Sequence, residues 1–137
     1  LIPEALGGGN PNSGDVSANI TINNEGSSAW RFEEIEGEGA SVELNTDNAT
    51  LTLDSGLRYT VTNLGASGHP FQLLDANGNV LIAAGGGGSL QDDADANVVV
   101  NDTDGTITFT LDGALASQVA AYNCEFHSGM QGDITVN

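Results

Sequence analysis

Apolar residues along the chain recur mainly at every second position, in short runs broken by turn-forming residues. Residues 17–23 alternate with Ile20 and Ile22 on one face, and residues 29–35 turn Trp30, Phe32 and Ile35 inward. Leu51/Leu53 and Leu57/Tyr59/Val61 keep the same spacing, with Asp54-Ser55-Gly56 as the turn between them. Residues 71–74 and 80–82 flank Asp75-Ala76-Asn77-Gly78, the pattern of a hairpin closed around Asn-Gly. Residues 98–100, 106–111, 119–122 and 134–136 supply later strands. Residues 85–88 and 92–95 form a loose, acidic loop region with room for a short helix. A period of two belongs to half-buried strands. About ten such runs without a clear helix predict an all-β sandwich. No internal repeat is apparent.

The pattern starts near residue 17. Before it, Gly7-Gly8-Gly9 and Asn10-Pro11-Asn12-Ser13-Gly14 read as a flexible linker over residues 1–16, leaving 17–137 as one folded domain. At this chain length roughly two-thirds of the unfolded surface can be buried, enough for a core without disulfide staples. The chain begins at Leu1 rather than Met, so an upstream segment is expected to have been removed. No run reaches the length of a membrane span. Asn19, Asn48 and Asn101 each open an Asn-x-Thr triplet, weak support for export and for glycosylation there.

Charge narrows the setting. Nineteen acids stand against two bases, Arg31 and Arg58, for a net charge of −17. Nucleic acid is excluded as a partner because no basic patch exists to neutralise phosphates. An anionic bilayer would repel the same surface. Dispersed acids with no lysine point to life in high salt, where screening over about 3 Å at 1 M relieves the self-repulsion.

The lone cysteine excludes an intrachain disulfide and is either a small buried hydrophobe or a ligand. Its neighbourhood favours the second. Cys124, His127 and Met130 follow one another at intervals of three between two strand-like segments, a strand, tight loop, strand arrangement. Thiolate, imidazole and thioether are the donors of a His₂Cys copper site with a weak axial Met. A second imidazole is needed, and the only other histidine is His69, just after the run ending at Thr62. A sandwich can bring the ends of two distant strands to one pole. The same Cys and His donors also suit Zn²⁺.

The segment Tyr122-x-Cys124-x-x-His127-x-x-Met130-x-Gly132 resembles the copper loop of the cupredoxins, the family of plastocyanin, amicyanin and halocyanin. Its short Cys-to-Met spacing is most similar to that of amicyanin, and His69-Pro70-Phe71 is similar to prokaryotic plastocyanin-like domains. The resemblance implies a Greek-key β-sandwich over residues 17–137. It also implies one copper, cycling between Cu(I) and Cu(II), held by His69, Cys124, His127 and Met130 at one pole. Two positions depart from the family pattern. After the first histidine, Pro70 replaces the usual Asn or Ser that ties the ligand loops together. Either Asn63 or Ser67 takes over, or the loops are held differently. Before the second loop histidine, Phe126 replaces the usual Pro and retains an N–H for the Cys124 sulfur.

A one-electron carrier is therefore the expected function, with redox proteins as partners and no small-molecule substrate. The alternatives are a copper-binding or storage domain and a non-redox surface sandwich module. An enzyme is not expected, since copper oxidases and nitrite reductases need further histidines and both are assigned. A monomer is expected, secreted or at the cell surface and tethered, if at all, through a segment upstream of Leu1. Docking is expected near His127, inside an apolar rim of Leu64, Pro70, Phe126 and Met130. Asn48 and Asn101 are placed away from that pole.

Overall fold

The computed structural model describes residues 15–101 and 103–137. Most of the predicted linker, residues 1–14, lies outside the described residues. Eleven strands and one helix are present among them: β1 (Ala18–Glu25), β2 (Ala29–Gly37), β3 (Ala40–Ser41), β4 (Leu51–Leu53), β5 (Arg58–Asn63), β6 (Phe71–Asp75), β7 (Val80–Ala83), β8 (Val99–Asn101), β9 (Thr106–Thr110), α1 (Gly113–Gln118), β10 (Val119–Cys124) and β11 (His127–Val136). A five-stranded sheet has the order β2-β1-β5-β9-β8, and a six-stranded sheet the order β3-β4-β11-β10-β6-β7. Both are mixed: β1 runs parallel to β5 and β4 parallel to β11, and the other pairs are antiparallel. The chain passes back and forth between the sheets, so the expected all-β Greek-key sandwich is the class observed.

The alternating residues meet in the middle. Ile20, Ile22, Trp30, Phe32, Leu51, Leu53, Tyr59, Val61, Ile107 and Phe109 are all buried. Aromatic rings lock one sheet onto the other: Trp30 of β2 lies edge-on to Phe71 of β6 at 5.6 Å, and Phe32 of β2 edge-on to Tyr122 of β10 at 5.3 Å. Edge-to-face contact at such distances adds about 0.5–1.5 kcal/mol beyond the area buried.

The helix is not where the acidic loop left room for one. Residues 92–95 form turns, and the six-residue α1 lies instead just before β10, opened by the Asp112 carboxylate accepting from the Gly113 N–H at 2.8 Å. Only Leu115 of α1 is buried, so no helical period shows in so short a stretch. No helix among the described residues is long and apolar enough to cross a membrane.

Candidate metal centre

Strand register assembles the site. β10 and β6 pair antiparallel with Cys124 opposite Phe71, so His69, two residues before Phe71, is delivered to the same pole as the end of β10. β10 and β11 then form a hairpin whose turn is only Glu125 and Phe126, and its last pair is Cys124 with His127. The predicted loop is thus shorter than read from the sequence: His127 and Met130 both belong to β11. From Met130 onward β11 alternates, with Met130, Gly132 and Ile134 turned inward.

Three of the four predicted ligands converge. The Cys124 Sγ lies 3.7 Å from His69 Nδ1 and 3.5 Å from His127 Nδ1, and the three donor atoms all fall within 4.8 Å of one another. Metal bonds of about 2.0–2.1 Å to nitrogen and about 2.3 Å to sulfur, at tetrahedral to trigonal angles, separate N and S by about 3.6–3.8 Å. The observed spacing fits a single ion between the three side chains. Cys124 and Met130 are buried, and both histidines are half-buried. The two imidazoles lie 4.7 Å apart. Burial, and then the neighbouring His127, lower the His69 pKa, which favours the neutral ring that a metal requires. Met130 shares the hydrophobic core cluster with Cys124.

The supports around these ligands are specific. Asn63, itself buried, donates from Nδ2 to the His69 carbonyl at 2.8 Å and accepts the Gly65 N–H at 2.9 Å. Of the two stand-ins expected for the missing polar residue after His69, Asn63 is the one that braces the His69 loop. The two ligand segments are joined by backbone, with the Glu125 N–H donating to the Pro70 carbonyl at 3.0 Å. A proline loses its N–H but keeps this acceptor. The Trp30 ring stands edge-on to His69 at 6.3 Å. Its sequence signal was only that of a core tryptophan.

Three expectations are corrected here. Among the described residues the polar contacts of the thiol are the two imidazoles, so the expected Phe126 N–H bond to sulfur is absent. Phe126 occupies the hairpin turn, 64% exposed. Met130 is fully buried and so cannot form part of an exposed rim, whereas Leu64 is 58% exposed. Asn48 and Asn101 are not remote from the pole. Asn48 hydrogen-bonds Gly129, between His127 and Met130. Asn101 lines a shallow, mainly apolar depression of about 150 Å³ with Ala66 and Pro70 of the His69 loop. The alternation rule places strand residues on faces, and Asn48 lies in a turn, to which it does not extend.

No family model matches the chain. No curated protein matches its sequence. Among solved structures it is similar to reduced rusticyanin, at 17% identity with 87% of this chain and 78% of that chain covered and a TM-score of 0.44. It is also similar to rusticyanin from Thiobacillus ferrooxidans, at 18% identity with 87% and 76% covered and a TM-score of 0.42.

Proposed function

We propose that the protein is a mononuclear blue-copper electron carrier of the cupredoxin kind, with His69, Cys124, His127 and Met130 as ligands. The observation that carries this reading is the convergence of two imidazoles and one thiol at metal-bonding separations, with a buried thioether six residues beyond the cysteine on the adjoining strand. Copper, when bound, supplies a one-electron Cu(I)/Cu(II) couple. The chain's own residues hold the donors in place. Asn63 fixes the His69 loop, and the Glu125 N–H on the Pro70 carbonyl fixes the distance between the two ligand segments. Met130, on the inward face of β11, offers a weak donor from the core side and favours copper over zinc. A site held rigidly in both oxidation states needs little rearrangement on electron transfer.

Exposed Leu64 and Phe126, next to half-buried histidines, support docking of a redox protein at this pole. Small, weakly held interfaces suit encounters that must separate quickly. The acidic surface and the lack of lysine support a salt-rich setting.

Adding Cu(II) to the apo-protein tests the reading. One equivalent should bind and give an intense blue colour from thiolate charge transfer. Pale, square-planar-type copper, or two tightly bound coppers per chain, would overturn it.

A further inference from the structure

The segment between the last two ligands has little to hold it. On β11 the register with β10 passes from Gln131, opposite Asn123, straight to His127, opposite Cys124, so residues 128–130 have no partner on β10. The other neighbour, β4, pairs only with residues 134–136. Ser128 and Gly129 are exposed, and a Cβ built on Gly129 would meet nothing within 4 Å. Among the described residues, one side-chain hydrogen bond reaches this bulge: Asn48 Nδ2 donates to the Gly129 carbonyl at 3.3 Å.

Asn48 is itself well fixed. Its Oδ1 accepts the Trp30 N–H at 2.9 Å, and its own N–H donates to the Trp30 carbonyl at 2.8 Å. Trp30 is fully buried and packs edge-on against His69. The next residue continues the anchorage, the Ala49 carbonyl accepting the Tyr122 hydroxyl at 2.6 Å, two residues before Cys124. Asn48 adopts φ 51°, a left-handed conformation that asparagine tolerates better than most residues. One side chain thus links the strand behind His69 to the unpaired stretch between His127 and Met130.

We infer that Asn48 is a positioning residue of the metal centre, tethering the 128–130 bulge so that His127 and Met130 keep a fixed spacing. The functional consequence rests on the copper reading, but the tether is a property of the metal-free chain as well. Asn48 also opens an Asn-x-Thr triplet. The amide that a glycan would take is already the donor of the tether.

The test compares Asn48→Gly and Asn48→Asp with a control, Asn45→Gly, in the same loop. Asn45 also has positive φ, 55°, but bonds Phe32 through its backbone. Glycine at 48 keeps the backbone conformation and removes both side-chain bonds. Aspartate keeps the acceptor for Trp30 and removes the donor to Gly129. In the metal-free proteins, amide exchange at residues 128–130 should be about fivefold faster in both Asn48 variants, as expected for one lost hydrogen bond, and unchanged in the control. In the copper-loaded proteins, both Asn48 variants should show altered visible and paramagnetic spectra and about tenfold faster copper release, while the control overlays the parent. Asn48 variants matching Asn45→Gly in exchange and spectrum would overturn the inference. Failure of the parent protein to bind copper would overturn the copper reading instead, and exchange would still decide the tether. If Asn48→Gly does not fold, Asn48→Asp carries the comparison.

Discussion

At Cys124 the sulfur faces both imidazoles while the rest of the side chain is sealed in the core, so its substitution separates ligation from packing. Cys124→Ser is nearly isosteric but supplies neither a soft nor an anionic donor. Absorption titration should show the blue colour gone and Cu(II) affinity down by more than about 100-fold, beyond the loss typical of an outer-sphere partner. Met130 is different in kind. It is buried on the inward face of β11, and leucine fills nearly the same volume. Met130→Leu should cost less than about 1.5 kcal/mol of folding stability in denaturant titration. It should keep the colour and raise the reduction potential, because removing a weak donor disfavours Cu(II) more than Cu(I). A colourless Met130→Leu protein would mean that Met130 is more than an axial ligand. The candidate donors were legible in the sequence because the chain has so few: one cysteine, one methionine and two histidines. The residues that hold them were legible only in part. Asn63 was one of two stand-ins expected near His69. Asn48 gave no sign, since its partners Trp30 and Gly129 lie far away along the chain.

Elements were read best where burial alternates. Ile20/Ile22, Leu51/Leu53 and Ile107/Phe109 fall on inward faces because a period of two leaves no other choice. β3 and α1 were missed: a two-residue strand and a six-residue helix are too short to display a period. The β6–β7 hairpin was read from its turn residues, and it carries a pH-dependent contribution. Asp75 Oδ1 accepts the N–H groups of Asn79 at 2.8 Å and Asn77 at 2.9 Å, while the Asn79 side chain donates to Oδ2 at 3.1 Å. The Asn79 backbone bond, then the Asn79 side chain, hold the Asp75 carboxyl below its ordinary pKa. A depressed folded pKa stabilises the fold above the unfolded carboxylate pKa, and that contribution disappears as pH falls through the folded value. Asp75→Asn keeps an acceptor but does not titrate. Melting midpoints of the two proteins should differ most near neutrality, and the gap should narrow as pH falls below the unfolded carboxylate range. A gap that stays constant across this range would remove the hairpin carboxylate from the acid response.

On the whole molecule, negative charge is almost uncompensated. Arg31 is engaged by Glu25 and Asp47, at 3.0 and 2.6 Å, and Arg58 is buried, donating to the Asn97 carbonyl and the Thr110 hydroxyl. Screening should therefore raise stability, with the unfolding midpoint climbing between about 0.1 M and about 2 M KCl. A flat or falling midpoint would contradict salt adaptation. Screening also weakens steering at long range, so if docking takes place at the metal pole, as proposed, apolar contact there should set encounter rates. Leu64→Asp or Phe126→Asp should slow electron self-exchange far more than Asn77→Asp in the β6–β7 turn. Because β6 runs away from the site from Phe71 to Asp75, that turn lies at the other end of the sandwich. Equal slowing by all three would move the entry route elsewhere. Reversible voltammetry of the copper-loaded protein tests electron carriage itself most directly. A single one-electron wave, stable on cycling and lost in Cys124→Ser, is expected; copper bound at the three donors with no reversible wave would contradict electron carriage.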